Sequence, residues 1–164
     1  MAQLTTLAIA SADIIARIKQ RLAPIPATGA AQAAQVIWQD HGDTVLVHVD
    51  SSQARFAGGW LLCGLDLESD QTGRQNLQFL YYLGDNAASG TGTGALVNAS
   101  AAGAAPLAER WGNAVLLTIH DAVLDAIEAA VYKVSLLQPN QTLTLGGYFA
   151  TDSGLEVGVY AGAV

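Results

Sequence analysis

The side chains able to do acid–base or metal chemistry in this chain are few, and the histidines come first. His41, His48 and His120 fall in a predicted turn, strand and helix, so they are well separated along the chain. No His-x-x-x-His spacing occurs, and the single cysteine, Cys63, excludes a Cys-x-x-Cys pair. A structural zinc site needs about four such ligands. The sequence therefore predicts no metal site.

Nucleophilic catalysis needs a serine, a histidine and an acid held together. The candidate residues are Ser51 or Ser52, His48 or His120, and Asp50 or Asp121. The Gly-x-Ser-x-Gly elbow that positions such a serine in α/β-hydrolases does not occur. We predict that the chain is not an enzyme and has no cofactor, and that His48 and Asp50 form a cross-strand polar pair.

A glycine-rich run, Gly90-Thr-Gly-Thr-Gly94, follows a predicted strand in the manner of a phosphate-binding loop. A phosphate loop needs a lysine near its end, and none is close to this run. A dinucleotide loop opens directly into a helix, whereas the next helix signal here is Pro106. The run is therefore interpreted as part of a flexible, Gly/Ala-rich loop at about residues 84–105, with a role as an interaction arm.

Carboxylates recur at the end of another predicted strand. Asp66, Glu68 and Asp70 alternate there, so they project to one face of the sheet. Paired carboxylates serve as acid and base or bind calcium, but at the end of a strand they more often form a solvated rim. The alternative is a cleft near His48 and Asp66 that binds a small ligand or catalyses a reaction.

Tryptophans are the remaining candidates, and large aromatic side chains anchor cores and subunit interfaces. Trp38, Trp60 and Trp111 are interpreted in this way. The predicted interaction residues are Trp60, Trp111, Gly90, Gly92, Gly94, Asp66 and Glu68.

The amino-acid composition indicates what kind of surface the chain has. Only 13% of the residues are charged, against about 25% in ordinary globular domains. Such a surface fits a protein whose neighbours cover it, and it also fits an alanine-rich coding bias. Both explanations remain open.

The charge balance and the length exclude further classes. The net charge is −7 with seven lysines and arginines, too few for a basic stripe that neutralises phosphates. No apolar run reaches the roughly 18–20 residues of a membrane span. We therefore predict neither sequence-specific nucleic-acid binding nor membrane insertion. A chain of 164 residues suits one domain, residues 1–164.

Helical spacing appears twice along the chain. Ser11 is a plausible N-cap for a helix that Pro24 and Pro26 end, and its apolar stripe is Ile14, Ile15, Ile18 and Leu22. A long helix is predicted over residues 107–132, after Pro106. Its apolar residues fall at steps of four.

Strands account for the rest of the predicted order. They cover residues 35–39, 44–49, 60–67 and 75–83, and a closing hairpin covers 141–149 and 155–160. Tight turns between them favour antiparallel pairing. The sequence therefore predicts an α+β fold, a twisted, mainly antiparallel sheet with an N-terminal helix and one long helix packed on it.

Three segments together resemble the tail-terminator and tail-completion proteins of long-tailed bacteriophages, including the Mu-like family. They are the opening helix from Asp13 to Leu22, the strand Thr72-Gly-Arg-Gln-Asn-Leu-Gln-Phe-Leu-Tyr-Tyr82 with its later helix, and the closing hairpin ending in Asp152-Ser-Gly-Leu-Glu-Val-Gly-Val-Tyr160. The similarity lies in the order of elements over most of the chain.

The resemblance implies a structural role in the virion, reached by assembly in the bacterial cytoplasm. Proteins of this kind form rings, commonly hexameric, that cap the tail tube and join it to the head. The implied partners are copies of the chain and other tail or neck proteins, and the family has no catalytic residues. Ring packing would account for the sparse charge, and a lumen crossed by DNA would account for the acidic balance.

The sequence therefore leaves three hypotheses about function. The first is a ring-forming tail subunit, and the second is a small-ligand-binding domain or enzyme near His48 and Asp66. The third is a toxin-neutralising or adaptor module that uses the acidic balance.

Overall fold

A computed structural model of the chain describes residues 2–82, 94–98 and 103–163. Within these residues the elements are, in order, β1 (Ala2–Ile9), α1 (Ser11–Leu22), β2 (Gln35–Asp40), β3 (Asp43–Ala57), β4 (Trp60–Ser69), β5 (Gly73–Tyr82), β6 (Gly94–Asn98), α2 (Ala105–Leu137), β7 (Gln141–Thr151) and β8 (Gly154–Ala163). All strand pairs are antiparallel. The predicted α+β class is confirmed.

The strands are divided between two sheets, where the sequence predicted one. Five strands follow one another in the order β2-β3-β4-β5-β6, and the other three lie in the order β1-β8-β7. The closing hairpin of β7 and β8 pairs with β1 at the start of the chain instead of joining the larger sheet. The two sheets meet at their hairpin ends, where the Gly59 amide donates to the Ala150 carbonyl oxygen (2.7 Å).

Strand β1 was not predicted from the sequence, and its register explains why. The pairing with β8 shifts between Gln3 and Thr5. The apolar residues Leu4, Leu7 and Ile9 therefore do not alternate at an even spacing. A strand with such an irregularity gives a weak period-two signal.

Short turns fix the register of the larger sheet. His41 (φ 49°) and Gly42 (φ 86°) both have positive φ between the paired residues Asp40 and Asp43. That is the two-residue turn whose twist matches a β-hairpin. The predicted turn at this position is confirmed.

Helix α1 is held at its start by Asp13, whose carboxylate accepts a hydrogen bond from the Ala10 amide (3.1 Å). The N-cap is therefore Ala10, and the prediction of Ser11 was wrong by one residue. The buried side chains are Ile14, Ile18 and Leu22. Through this face α1 packs against both β3 and α2.

Helix α2 is longer at both ends than the predicted 107–132. Its 33 residues span about 50 Å at 1.5 Å per residue. The side chains it contributes to the core are Leu107, Trp111, Val115, Ile119, Ala122, Val123 and Ala126. They join one apolar cluster with residues of both sheets, among them Val47, Leu61, Phe79 and Leu155.

The segment predicted as a flexible loop, about 84–105, contains an element. Strand β6 lies within it and pairs with β5, from Gly94 opposite Tyr82 to Asn98 opposite Gln78. Residues 83–93 and 99–102 lie outside the described residues.

Candidate functional site

A polar cluster centres on His48, which lies on β3 and is 5% exposed. Its Nδ1 accepts a hydrogen bond from the side-chain amide of Gln35 on β2 (3.2 Å). Its Nε2 donates to the carboxylate of Glu68 on β4 (2.7 Å). The predicted cross-strand pair with Asp50 is wrong, because the regular register of β3 with β4 places Glu68, opposite Leu46, diagonally across from His48, and Glu68 bonds the imidazole.

Asp66 lies directly opposite His48 in the strand register, yet it has other partners. Its carboxylate accepts hydrogen bonds from Arg74 (2.7 Å) and Asn76 (2.8 Å) on β5. Leu65 and Leu67, on either side of it, are buried in the core. Asp66 therefore lies on the face of β4 that points away from the core, and its carboxylate is already bonded to Arg74 and Asn76.

A cleft of about 480 Å³ opens between the larger sheet and the start of α2. Glu68 lines it, together with Asp43, Leu107, Arg110 and Trp111. The His48–Glu68 pair therefore borders this cleft, whereas Asp66 is not among its lining residues.

Arg110 lies at the cleft among three acidic lining residues, Asp43, Glu68 and Asp70. It donates to Asp43 (2.9 Å) and Asp40 (2.8 Å), and its guanidinium lies 4.5 Å from the Trp111 ring centre. These bonds raise the pKa of Arg110, with Asp43 the larger cause. In turn Arg110, and then His41, hold the pKa of Asp40 below its usual value. With two carboxylates bound to it, Arg110 is not free to bind an anionic ligand.

The serines considered for catalysis have structural partners. Ser51 donates to the His48 carbonyl oxygen (2.6 Å) and Ser52 to that of Val49 (2.8 Å). Both hydroxyls therefore satisfy backbone groups where β3 departs from its regular pairing. His120 is engaged elsewhere, since its Nδ1 forms a hydrogen bond with the Tyr81 hydroxyl. These residues do not form a catalytic triad in this structure.

The other predicted interaction residues are dispersed. Trp111 is buried, with its ring 6.4 Å from that of Trp38, whereas Trp60 at the start of β4 is 38% exposed. Gly94 begins β6, and Gly90 and Gly92 lie outside the described residues. Among the described members of the set, Glu68 and Trp111 line the same cleft, whereas Trp60 and Asp66 are not among its lining residues.

Cys63 is buried in the core, as predicted. Burial raises the pKa of its thiol to about 12. The thiol therefore stays protonated near neutral pH and is unreactive.

The most unusual surface lies along the end of α2 and the neighbouring edge strand β7. We call it the α2–β7 surface, and its large apolar side chains are Leu124, Tyr132, Leu136, Leu137 and Leu145. Their exposed fractions run from 46% for Leu145 to 79% for Leu137. Between the two elements lies a groove of about 490 Å³. Its lining consists of Leu124, Ile127, Glu128, Val131, Tyr132, Ser135 and Leu145.

Sequence reasoning missed this surface for an identifiable reason. The helix was predicted to end at Tyr132, which left Leu136 and Leu137 outside it. After Ala126 the helix has two charged residues, Glu128 and Lys133. A helix that is apolar on all sides must be packed against other elements or chains on all sides. The low charge of the last turns of α2 was therefore the sequence signal for this surface.

Within the described residues, neither helix has the length and apolar character needed to cross a membrane. Across the same residues, no three side chains of His, Cys, Asp or Glu are placed to hold a metal ion. Comparison with protein-family models, curated proteins and solved structures finds no match to this chain.

Proposed function

We propose that this chain is a structural, non-catalytic subunit that assembles with copies of itself into a ring. The proposed place of the ring is the end of a phage tail, where it joins tail tube and head and contacts other tail or neck proteins. The resemblance in element order supports the choice of the tail.

The observation that carries the proposal is the exposed α2–β7 surface. Burying a large apolar side chain contributes about 1.5–3 kcal/mol, and four leucines and one tyrosine here are roughly half exposed or more. A concentration of exposed apolar side chains of this kind on a folded domain marks an interaction site. The sparse charge of the whole chain, 13% of residues, agrees with extensive cover by neighbours.

The acidic balance is consistent with the proposed position. Each copy has a net charge of −7, so an assembled ring would be strongly negative. A negative wall repels phosphate, and DNA could pass through such a ring without binding to it.

Electron microscopy of the purified chain tests the proposal. Negatively stained particles at micromolar concentration should show closed rings of uniform diameter. Particles no larger than one 16.9 kDa chain, with and without isolated tail tubes, contradict it.

A second candidate function rests on the His48–Glu68 pair at the edge of the 480 Å³ cleft. A carboxylate that lines a concave site and is bonded to a buried imidazole can serve as a general base. A thermal-shift screen with metabolites and divalent cations tests this candidate. A ligand that raises the melting temperature of the wild type and not of Glu68→Gln supports it. No shift with any compound counts against it.

A further inference from the structure

Helix α2 continues past the core that its first part helps to form. Its last buried residue is Ala126, and Ile127 and Ala130 still pack against the core as partly buried residues. The helix then continues to Leu137, eleven residues or about 16 Å past Ala126. Ile119 and Leu137 are 18 residues apart, which is five full turns, and therefore lie on the same side of the helix. Ile119 is 2% exposed and Leu137 is 79% exposed. The side of the helix that is buried in the core at Ile119 is therefore exposed at Leu137.

The groove of the α2–β7 surface faces a different direction. At about 100° per residue, Leu124 in the groove and Leu137 at the helix end point about 140° apart. Each copy therefore presents two apolar features on nearly opposite sides of one helix. One is a projecting end with Leu136 and Leu137, and the other is a groove closed on its far side by β7.

We propose that the groove of each copy holds the projecting α2 end of a second copy, in a head-to-tail contact. The inference rests on the proposed assembly and names its contact. The two features face in different directions. A copy whose helix end occupies a neighbour's groove therefore still has its own groove free to bind a third copy. Such heterologous contacts generate a ring when the rotation between copies closes.

The undescribed parts of this chain are poor candidates for the occupant. Residues 83–93 and 99–102 contain one large apolar side chain, Leu83, among Gly, Ala, Ser, Thr, Asn and Asp. A groove lined mainly by Leu, Ile, Val and Tyr needs a bulkier apolar occupant, and Leu136 and Leu137 are adjacent in sequence and exposed.

Charge opposes a second copy less at this surface than over the rest of the chain. Two copies with a net charge of −7 each repel one another over most of their surfaces. The projecting part of α2 has one acid, Glu128, and one base, Lys133, so it is neutral overall. Self-contact is least opposed by charge at such a surface, whereas a basic partner would be attracted more strongly elsewhere.

The test uses two variants that each remove one side of the contact. Leu136→Glu/Leu137→Glu alters the projecting end, and Leu124→Glu/Leu145→Glu alters the groove. These side chains are exposed, so both variants should fold, which circular dichroism checks. Each introduced pair of carboxylates should weaken self-association by more than about a hundredfold, because the charges would have to be buried without partners.

Mixing the two variants distinguishes head-to-tail from other contacts. Alone, each should remain at the 16.9 kDa of one chain in light scattering. Mixed, they should form a 1:1 complex and grow no further, because the groove variant still has an intact end and the end variant an intact groove. The matched control is Leu117→Glu, which changes a 61% exposed leucine of α2 outside the groove lining and should assemble like the wild type.

The outcomes separate this inference from the proposed function. A double variant that assembles like the wild type overturns the contact and leaves ring formation standing. Two monomeric variants that stay monomeric when mixed overturn the head-to-tail arrangement. A wild-type chain that never associates overturns the inference together with the proposed assembly.

Discussion

The two parts of α2 are both rich in apolar residues, but their environments differ. Up to Ala126 one face of the helix is buried against α1 and the sheets, whereas beyond it Ile127 and Ala130 contact the core only as partly buried residues. Ile119 and Leu137 mark the contrast, since they share one side of the helix and differ from 2% to 79% in exposure. Both parts are helical, but a residue of the helix is buried only where another element packs against it. The last buried residue, Ala126, lies eleven residues before the end of the helix.

The largest expected effect tests this contrast directly. Ile119→Ala should lower the free energy of unfolding by about 2–5 kcal/mol, because it leaves a cavity in the core. Leu137→Ala, on the same side of the helix, should change it by less than about 0.5 kcal/mol in the monomer. Urea unfolding at low protein concentration measures both, and equal losses would show that the end of α2 is packed after all.

A smaller effect is expected in local stability. Amide hydrogens in residues 127–137 should exchange faster than those in residues 107–126, because few buried contacts hold the last turns. Assembly should slow exchange in the projecting part and leave the packed part unchanged. Hydrogen exchange with mass-spectrometric peptide mapping, at low and high protein concentration, measures this. Uniform exchange along the helix at low concentration goes against the contrast.

The smallest effect lies at the boundary between the two parts. Asp125 accepts two hydrogen bonds from Arg21 of α1 (2.6 and 2.7 Å), which hold the pKa of its carboxyl below the ordinary 3.8. A lowered folded-state pKa gives stability that is present above pH 3.8 and lost as the pH falls through the folded value. Asp125→Asn should therefore be slightly less stable than the wild type at pH 7, and the difference should vanish in strong acid. A difference that persists at pH 2 would point to packing instead of charge.

The parts of the fold that depend on local signals were predictable from the sequence. The hairpin turn at His41-Gly42 sets its own register, and the steps of four that include Val115, Ile119 and Val123 mark a helix. Strand β1 was not predictable, because it pairs with β8 at the other end of the chain. The division into two sheets follows from that distant pairing.

The candidate sites divide in the same way. The sequence placed His48 on a strand and Glu68 at the end of the next strand, but their contact depends on the register between β3 and β4. The sparse charge of the last turns of α2 is a local signal, but their exposure depends on where the neighbouring elements stop. The surface that carries the functional proposal could therefore be recognised only once the helix was placed against the sheets.

The mass of the wild-type chain in solution tests the central claim most directly. Light scattering across a hundredfold range of concentration should give a fixed multiple of 16.9 kDa at the upper end, with no growth beyond it, because a ring closes. A mass of 16.9 kDa at every concentration would contradict assembly through the α2–β7 surface.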